Sequence, residues 1–597
     1  MHVLGISCFY HDAAAAILRD GMLVAAAEEE RFTRKKHDYA FPERAIEFCL
    51  RQAGIRGEEL DYVVFYEKPL VKFERILMTT LGVYPRAWRV FREAMITWFT
   101  EKLWIKGLIL KKLKIPAERI LFSDHHVSHA ASAFFCSPFD EAAILTVDGV
   151  GEWTTAAIGR GRADWSGGNS SITLDSEIRF PHSLGLLYSA FTAFLGFEVN
   201  EGEYKVMGMA PYGQPRYLDE VARLIRINDD GSFALNMDYF EFTHSTEQTY
   251  SWRFPELFGQ PRRKESEFYT ALTHPGRSHA QWDQRTADEN QRYADLAASI
   301  QRTTEELLLK MAREAHRRTG LTRLCMAGGV ALNSVANGRI LNETPFEEIF
   351  VQPAAGDSGG AVGAALYAYH ALLGQPRRFV MEHAYWGEEY SPAWIHEFLT
   401  GQRVPFEMIE DEGKLTDRVV DALLQQKVIG WYQGRFEWGP RALGNRSILA
   451  DPRRAEMKDI VNTKIKFREP FRPFAPVILE HRAAEFFERG DLHRHHPARY
   501  MLLVHRFKDG KGEQVGAVNH VGTGRLQTIR PETNPRYYGL VERFGEATGV
   551  PVLMNTSFNL RGEPIVASPA NAHWTFSNSG IDMLVMGNFV IEKEHQT

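Results

Sequence analysis

The segment EAAILTVDGVGEWTTAAIGRG, Glu141–Gly161, joins two β-rich runs through an Asp-Gly turn. This order predicts a strand, a turn that presents Asp148, and a second strand. The start of the chain has a similar order, because VLGISCF, Val3–Phe9, ends just before His11 and Asp12, and another hairpin signal follows. Such a turn belongs to a plain hairpin more often than to a phosphate-binding loop, so both interpretations stay open.

A third region, TRLCMAGGVALNSVANGRI, Thr322–Ile340, predicts a strand, a Gly328-Gly329 turn and a helix. A glycine pair lets backbone N–H groups approach an anion at the N-terminus of a helix. Two turns that carry carboxylates, together with a glycine turn, are the layout of the actin-like ATPase fold. We therefore predict an α/β chain whose first part has this fold.

The composition narrows the function classes. The chain has 597 residues, a net charge of −6 and four cysteines without a C-x-x-C pair. The slightly acidic total argues against a nucleic-acid partner, and free thiols suit a reducing cytoplasm. The absence of a recognisable signal peptide or membrane span predicts a cytoplasmic protein without a membrane partner. A change in composition near residue 380 predicts domains at 1–380 and 381–597.

Leu77–Leu113 is rich in aromatic and aliphatic residues, but charged residues interrupt it throughout. The region is therefore too polar for a membrane span, and we interpret it as amphipathic helices. A membrane-surface contact or an oligomer contact is the alternative interpretation. A homo-oligomer stays open for the same reason.

The stretch SDHHVSHAASAF, Ser123–Phe134, predicts a capped helix that carries three histidines. His125 and His129 are four residues apart and therefore lie on one face, where two imidazoles can bind one metal ion. His126 points about 100° away from them. Asp357, in a glycine-bracketed turn before a helix, is the candidate third ligand, and such a set suits Fe(II), Mn(II) or Zn(II). The alternatives are surface or half-buried histidines, and an ordinary helix cap for Asp357.

The second half contains GRFEWGPRALGNRSILADPR, Gly434–Arg453, KIKFREPFRPFAPVI, Lys464–Ile478, and NTSFNLRGEPIV, Asn555–Val566. Prolines and glycines separate the basic residues of the first two stretches, so these residues do not form one solvated helix face. Arginines on rigid turns suit bidentate binding of phosphate or carboxylate. Structural ion pairs are the alternative.

HHVSHAASAF, VDGVGEW, EGEYKVMGMAPYG and GGVALNSVANGRI, in this order, resemble the NodU/CmcH family of O-carbamoyltransferases, which includes antibiotic-tailoring enzymes. The resemblance runs from HDAAAAIL to LVMGNFVI and covers essentially the whole chain. The first part is also similar to the ATPase-fold domain of HypF and of the tRNA threonylcarbamoyl transferase. There an H-x-x-x-H pair and a later Asp bind a metal, which implies His125, His129 and Asp357 as ligands here.

NTSFNLRGEPIV resembles the T-S-x-N-x-x-G-x-P signature of the YrdC-like domain, an α/β domain that makes carbamoyl- or threonylcarbamoyl-adenylates. FREPFRPFAPV looks like a second stretch of that domain, although arginines replace its lysines. The resemblance implies that this half forms carbamoyladenylate and pyrophosphate from carbamoyl phosphate and ATP, with Mg²⁺ accompanying ATP. The residues implied for substrate binding are Arg441, Arg468, Arg472, Arg525, Asn555 and Ser557.

The first half would then transfer the carbamoyl group to a hydroxyl of a small-molecule acceptor. The implied metal polarises the carbonyl, and His11 or Asp12 acts as general base or orients the hydroxyl. The residues implied for adenylate binding are Asp148, Lys205, Gly329 and Asn333. The alternative interpretation of Lys205 is an ordinary surface lysine in a loop. The acceptor stays open among sugars, aminoglycosides, polyketides and β-lactam precursors.

Two other functions remain as alternatives. A small-molecule kinase or ATPase of the actin-like fold explains the first half but leaves the NTSFN stretch without a role. A tRNA threonylcarbamoyl transferase is disfavoured because the chain is acidic overall and has no basic tail.

Overall fold

The structure, a computed structural model, describes residues 1–100, 102–488 and 494–593. The chain forms two compact units of α/β structure, and neither is one continuous segment. The first unit comprises Met1–Phe9, Ala15–Val24 and Leu50–Val380. The second comprises Tyr10–Ala14, Ala25–Cys49 and Met381–Thr597, so it takes in two short segments that the sequence assigns to the first domain.

The N-terminal sheet has five strands: β1 (His2–Ser7), β2 (Ala14–Arg19), β3 (Met22–Glu28), β4 (Tyr62–Phe65) and β5 (Ile120–Phe122). Their order is β3-β2-β1-β4-β5, and β4 pairs in parallel with both β1 and β5. The predicted Asp-Gly turn joins β2 to β3, with both Asp20 and Gly21 at positive φ. Five helices accompany this sheet: α1 (Glu30–Thr33), α2 (Glu43–Ala53), α3 (Pro69–Gly82), α4 (Trp88–Thr100) and α5 (Ile105–Leu113).

A second five-stranded sheet follows in the first unit. It contains β6 (Glu141–Val147), β7 (Thr154–Arg162), β8 (Ser171–Arg179), β11 (Arg323–Ala327) and β12 (Glu348–Phe350), in the order β12-β11-β6-β7-β8. Strand β11 lies parallel to β6, so the ends of these two strands bring the Asp148 turn and the Gly328-Gly329 turn together. A separate ribbon pairs β9 (Ile225–Ile227) with β10 (Phe233–Leu235).

The helices of this part are α6 (His125–Phe134), α7 (Leu184–Phe194), α8 (Glu203–Met209), α9 (Leu218–Ala222), α10 (Arg253–Phe258), α11 (Gln284–Thr319), α12 (Ser334–Glu343) and α13 (Gly359–Tyr367). Helix α11 is 36 residues long and begins in a polar segment. The side chain of Asp283 accepts a hydrogen bond from the backbone N–H of Thr286 and caps the helix, so its polar first turns are helical as well.

Close glycine contacts fix helix α13 in place. A Cβ on Gly363 would lie 1.9 Å from the carbonyl oxygen of Ser128, and a Cβ on Gly5 would lie 1.8 Å from that of Ala361. Only glycine fits at both points, because no Cβ can approach a backbone oxygen so closely. Helix α13 therefore packs against both α6 and β1, and the turn before it reaches the histidines of α6.

The second unit is built on a nine-stranded mixed sheet in the order β13-β21-β20-β14-β15-β19-β16-β18-β17. Its strands are β13 (Glu407–Met408), β14 (Ile429–Tyr432), β15 (Arg446–Ala450), β16 (Ala475–Leu479), β17 (Leu503–Arg506), β18 (Thr523–Ile529), β19 (Val552–Ser557), β20 (Met583–Met586) and β21 (Phe589–Glu592). Its helices are α14 (Pro392–Gly401), α15 (Glu412–Leu424), α16 (Glu456–Val461), α17 (Ala483–Phe486), α18 (Lys511–Gln514), α19 (Pro535–Thr548) and α20 (Pro569–Ser577). The apolar faces of α15 and α19 cover one face of this sheet.

The Ala25–Cys49 segment is held in the second unit by buried polar contacts. Arg31 donates a hydrogen bond to the carbonyl of Gly439 at 2.6 Å, and Glu28 accepts one from the N–H of the same glycine at 2.8 Å. Arg34 donates to the carbonyls of Pro564 and Ile565, at 2.7 and 2.6 Å. Side chains that precede residue 381 by more than 300 positions in the sequence therefore take part in the packing of the second unit. Across the described residues, no helix combines the length and the apolar character that crossing a membrane requires.

The glycine contact between α13 and α6 yields a stability prediction. We expect Gly363→Ala to lower the free energy of unfolding by about 3 kcal/mol, because the added methyl group forces the two helices apart. Urea denaturation measures the change. Gly539→Ala in α19 is the control, since its Cβ meets nothing within 4 Å and alanine favours a helix. Equal stability of the two variants would contradict the close packing.

Candidate metal centre and phosphate-binding residues

Helix α6 presents His125 and His129 on one face, as their spacing predicts, and both side chains are buried. Their Nε2 atoms lie 3.0 Å apart. The Oδ1 atom of Asp357 lies 3.5 Å from Nε2 of His125 and 3.3 Å from Nε2 of His129. The structure thus brings together the three residues that the sequence assigns to a metal.

Asp148 joins these three residues. Its Oδ2 atom lies 3.2 Å from Nε2 of His125, and its Oδ1 atom accepts a hydrogen bond from the N–H of Gly329 at 2.8 Å. The candidate ligand atoms of His125, His129, Asp148 and Asp357 all lie within 4.8 Å of one another. Asp148, which the sequence assigns to the adenylate, therefore links this cluster to the glycine turn.

The charges in the cluster favour a cation. Burial would lower the pKa of His129, but the hydrogen bonds and negative charges of Asp148 and Asp357 raise it to about 9. Burial would likewise raise the pKa of Asp148, but His125 and His129 hold it well below its usual value. Two buried carboxylates require a positive charge beside them, from a proton or from a metal ion.

The donor atoms fit a metal ion. Ligands about 2.1 Å from one ion and at right angles to each other lie about 3.0 Å apart, close to the distances seen here. Two imidazole nitrogens with two carboxylate oxygens suit Fe(II), Mn(II) or Zn(II) better than Mg²⁺ or Ca²⁺, which prefer oxygen ligands alone. His125, His129, Asp148 and Asp357 could therefore hold a transition metal.

Two acidic residues support the start of α6. The carboxylate of Glu152 accepts hydrogen bonds from the backbone N–H groups of His125, at 3.0 Å, and of Lys68, at 2.7 Å. Glu67, paired with Lys72 at 2.7 Å, lies 3.8 Å from Nδ1 of His125. Such outer carboxylates orient metal-binding imidazoles in other proteins.

His126 has a different environment, in line with its position on the helix. Its Nδ1 atom is 2.8 Å from the hydroxyl of Thr146. Burial and the charges of the neighbouring histidines lower the pKa of His126 to about 3.

Two residues assigned to the adenylate lie in helical elements of the first unit. Asn333 caps α12, accepting a hydrogen bond from the N–H of Ala336 at 3.2 Å, and it pairs with the side chain of Gln301. Lys205 lies in α8, with its Nζ atom 5.5 Å from the ring centroid of Phe197.

His11 and Asp12 follow β1 and belong to the second unit. Asp12 has φ of 52° and places one oxygen 2.8 Å from Nδ1 of His11 and the other 2.7 Å from Nδ1 of His37. Burial would raise the pKa of Asp12, but the charge and hydrogen bonds of these histidines hold it well below its usual value. The carboxylate of Glu30 accepts a hydrogen bond from the backbone N–H of His37 at 2.9 Å. Asp12, Glu30 and His37 form a second group of candidate metal ligands.

A buried lysine, Lys466, immediately precedes the FREPFRPF stretch. Nζ of Lys466 donates hydrogen bonds to the side chain of Asn559 at 2.8 Å, to the hydroxyl of Ser557 at 3.3 Å and to the carbonyls of both residues. Burial, together with the charges of Arg468 and Arg472, lowers the pKa of Lys466 well below its usual value. An anion bound here would offset this excess of positive charge.

The remaining residues assigned to carbamoyl phosphate and ATP lie on central strands or beside them. Asn555, buried on β19, donates to the carbonyl of Ala442 at 3.2 Å and to the side chain of Gln527 at 2.7 Å. Arg441 precedes Ala442 in the loop between β14 and β15, and Arg525 is on β18, two residues before Gln527. The sheet therefore gathers residues from three sequence stretches around Asn555.

The predicted arginines differ in what surrounds them. Nε of Arg468 donates to the side chain of Asn462 at 2.8 Å, and Nη1 of Arg472 lies 3.6 Å from a carboxylate oxygen of Glu469. Arg446, one of the basic residues of the first stretch, is fully buried, donates to the carbonyl of Gly434 at 3.0 Å and stacks on Tyr432. Arg446 therefore stabilises the fold, whereas Arg468 and Arg472 remain candidates for binding phosphate.

The structure adds residues to the candidate site that sequence reasoning did not select. Lys466 is one of several basic residues in its stretch, and only burial distinguishes it. His37 follows a run of charged residues, and only the fold brings it to Asp12. The sequence assigns Asp148 to adenylate binding. Its closeness to the histidines depends on the packing of α6 beside β6, which sequence reasoning does not reveal.

Comparison with known proteins agrees with this organisation. A family model described as the carbamoyltransferase N-terminus matches residues 2–366, and one described as the carbamoyltransferase C-terminus matches residues 420–593. The Synechocystis protein sll1178 is 46% identical over 100% of this chain and 97% of its own length. Nodulation protein NolNO of Sinorhizobium fredii is 37% identical over 98% of this chain and 79% of its own length.

Similarity to solved structures is more distant. HypF of T. kodakarensis aligns with 63% of this chain and 48% of its own, at 15% sequence identity and a TM-score of 0.33. The two family models together match most of this chain, including α6, β6 and the central strands of the second unit. The chain therefore belongs to the NodU/CmcH family of carbamoyltransferases.

Proposed function

We propose that this carbamoyltransferase activates carbamoyl phosphate with ATP and then transfers the carbamoyl group to a hydroxyl of a small-molecule acceptor. The observation that carries the proposal is the presence of two differently charged clusters in one carbamoyltransferase chain. One contains buried histidines and carboxylates that favour a cation, and the other contains a buried lysine and arginines that favour an anion.

The activation step belongs to the second unit in this proposal, which treats the unit as YrdC-like. Carbamoyl phosphate, ATP and water give carbamoyladenylate, pyrophosphate and inorganic phosphate, so that the atoms balance. Arg441, Arg468, Arg472 and Arg525 bind phosphate groups, and Mg²⁺ accompanies ATP. Asn555 and Ser557 orient the carbamoyl group, while Lys466 holds the NTSFN turn and adds positive charge.

The transfer step belongs to the cluster on α6. The acceptor hydroxyl attacks the carbamoyl carbon of the adenylate, the bond from that carbon to the phosphate oxygen breaks, and AMP leaves. His125, His129, Asp148 and Asp357 would hold Fe(II), Mn(II) or Zn(II), which as a Lewis acid favours attack on a carbonyl. The Gly329 N–H is fixed by Asp148 at the edge of the cluster, and Asn333 lies close by in sequence at the start of α12. Together with Lys205, these groups bind the adenylate in this proposal.

The acceptor hydroxyl must lose a proton during transfer. Asp12 is a weak base because its pKa lies well below the usual value, but it holds Nδ1 of His11 by a 2.8 Å hydrogen bond. An imidazole oriented in this way can accept a proton at Nε2. We therefore assign the base to His11 and the orienting role to Asp12, with His37 bonded to the other carboxylate oxygen.

The product of the first step separates this proposal from its alternatives. Pyrophosphate release supports carbamoyladenylate formation, whereas ADP release supports a kinase or ATPase. A threonylcarbamoyl transferase would act on tRNA, and transfer to a small hydroxyl compound in the absence of RNA argues against it.

The metal assignment predicts the behaviour of His129→Ala. We expect this variant to lose at least about 90% of its bound metal, because it loses a nitrogen ligand and leaves the buried carboxylates without compensation. Elemental analysis measures the metal, and pyrophosphate release is expected to continue. His126→Gln is the control, since His126 contacts the hydroxyl of Thr146 and is not one of the candidate ligands. Full metal content in His129→Ala would refute the assignment.

The phosphate assignment predicts a defect in activation alone. We expect Arg472→Ala to lower pyrophosphate release about 10- to 150-fold, the loss of one charge-assisted hydrogen bond of about 1.5–3 kcal/mol. Arg472→Lys should restore little, because lysine lacks the planar fork of donors. Transfer from preformed carbamoyladenylate should be normal in both variants. Arg454→Ala, at an exposed position nearby in sequence, is the control, and an equal defect there would contradict the assignment.

The proton-transfer assignment predicts a defect in transfer. We expect Asp12→Asn to slow transfer from carbamoyladenylate about 100-fold or more, because the amide no longer holds His11 in the tautomer that accepts a proton at Nε2. Metal content and pyrophosphate release should be unchanged. Asp20→Asn, at an exposed turn in the same part of the chain, is the control. Loss of pyrophosphate release in Asp12→Asn would instead place His11 and Asp12 in the activation step.

A further inference from the structure

Helices α3 to α5 expose an unusual number of large apolar side chains. Seven of them are between 53% and 71% exposed: Leu70, Met78, Leu81, Tyr84, Trp88, Ile96 and Trp104. Two tryptophans, a tyrosine and four aliphatic side chains within 35 residues form more than the scattered surface hydrophobics of an ordinary protein. We call residues 69–114 the α3–α5 surface.

The helices that carry the α3–α5 surface also have a separate, buried apolar face. Ala87, Trp98, Ile105, Ile109 and Leu113 are buried, and the rings of Trp98 and Phe73 pack with their centroids 5.6 Å apart. The helices therefore already have an inward apolar face. The exposed apolar residues form an additional face, which the fold of this chain does not require.

The exposed residues follow helical stripes. Leu70, Met78 and Leu81 are separated by eight and three residues, which places them within about 80° on one side of α3. Trp88, Arg92 and Ile96 are four residues apart and share one side of α4. The α4 stripe therefore mixes apolar residues with a basic residue.

The same segment is strongly basic. Residues 69–114 contain ten lysines and arginines against three glutamates, a net charge of +7 in a chain whose total charge is −6. Seven of these basic side chains are exposed: Arg86, Arg89, Arg92, Lys106, Lys111, Lys112 and Lys114. Positive charge is therefore concentrated where the apolar side chains are exposed.

We propose that the α3–α5 surface docks this carbamoyltransferase onto an anionic lipid membrane, without crossing it. Exposed tryptophan, tyrosine and leucine insert at the level of lipid headgroups, and arginine and lysine beside them attract anionic lipids. From the sequence, no membrane partner is predicted and a membrane-surface contact of Leu77–Leu113 is the alternative interpretation. The exposure of Leu81, Tyr84 and Trp88 favours that alternative.

Other occupants fit the surface less well. Two copies of this chain would bring two strongly basic surfaces together, and like charges oppose that contact. A nucleic acid would satisfy the basic residues but leave the aliphatic side chains of α3 in water. An anionic bilayer satisfies both features with one partner.

The α3–α5 surface is also joined to the metal cluster within the first unit. Arg75 of α3 donates a hydrogen bond to the carbonyl of Gly151 at 3.1 Å, three residues after Asp148. Lys68, just before α3, pairs with Asp124, just before α6, at 2.8 Å. Docking would therefore place the candidate transfer site of this unit near the bilayer.

Vesicle co-sedimentation of the full chain tests the proposal. We expect the protein to sediment with vesicles of equimolar phosphatidylglycerol and phosphatidylcholine, and much less with vesicles of phosphatidylcholine alone. Added salt should weaken the binding, since it screens the charges. Absence of binding to the anionic vesicles, or equal binding to both kinds, overturns the proposal.

Two sets of variants locate the binding surface. Arg86→Glu combined with Arg89→Glu and Arg92→Glu should weaken vesicle binding at least about 100-fold. Leu81→Ser combined with Trp88→Ser should also weaken it at least about tenfold, because inserted apolar area is lost. All five side chains are exposed, so the melting temperature should stay within about 2 °C of the unmodified protein.

Matched controls change the same number of charges or an equally exposed tryptophan elsewhere. The first control combines Arg223→Glu, Arg226→Glu and Arg285→Glu, and the second is Trp252→Ser, all at exposed positions. Both controls should bind vesicles nearly as well as the unmodified protein. An equal loss in the controls overturns the assignment to this surface. A dimer in sedimentation velocity that Leu81→Ser with Trp88→Ser dissociates, without any vesicle binding, assigns the surface to a second copy.

Discussion

The first unit depends on the burial of two carboxylates beside two imidazoles. Asp148 and Asp357 lie within hydrogen-bonding or ion-pairing distance of His125, His129 or both, and all four side chains are buried. An uncompensated carboxylate at such a position would destabilise the fold, so the site must contain a positive charge. The same requirement makes the cluster suitable for a metal ion. The stability of the fold and the proposed chemistry therefore both require a positive charge beside these two carboxylates.

Glycine packing holds the parts of this cluster in position. Helix α13 approaches α6 so closely that Gly363 has no room for a side chain, and its other side meets β1 at Gly5. The turn that carries Asp357 immediately precedes α13, so the position of this carboxylate follows from the helix contact. On the opposite side, Asp148 is held by the N–H of Gly329 at the end of a neighbouring strand.

The second unit contains a cluster of the opposite charge. Lys466 is buried among neutral oxygen atoms, close enough to Arg468 and Arg472 for their charges to lower its pKa. An excess of buried positive charge is stabilised by an anion, as an excess of negative charge is by a cation. Carbamoyl phosphate and ATP carry the negative charge that this unit would bind. The two steps of the proposed reaction thus correspond to two buried clusters of opposite sign.

Local sequence determined the features that depend on neighbouring residues. The spacing of His125 and His129 places them on one helix face, the Asp-Gly and Gly-Gly pairs form turns after strands, and the motifs in chain order identify the carbamoyltransferase family. Only the tertiary structure decided which distant side chains meet. It brought Asp148 to the histidines, buried Lys466, joined His37 to Asp12 in the second unit and left Trp88 exposed. The physical reason is that burial and long-range contact result from the packing of whole helices and sheets, which no local spacing of residues specifies.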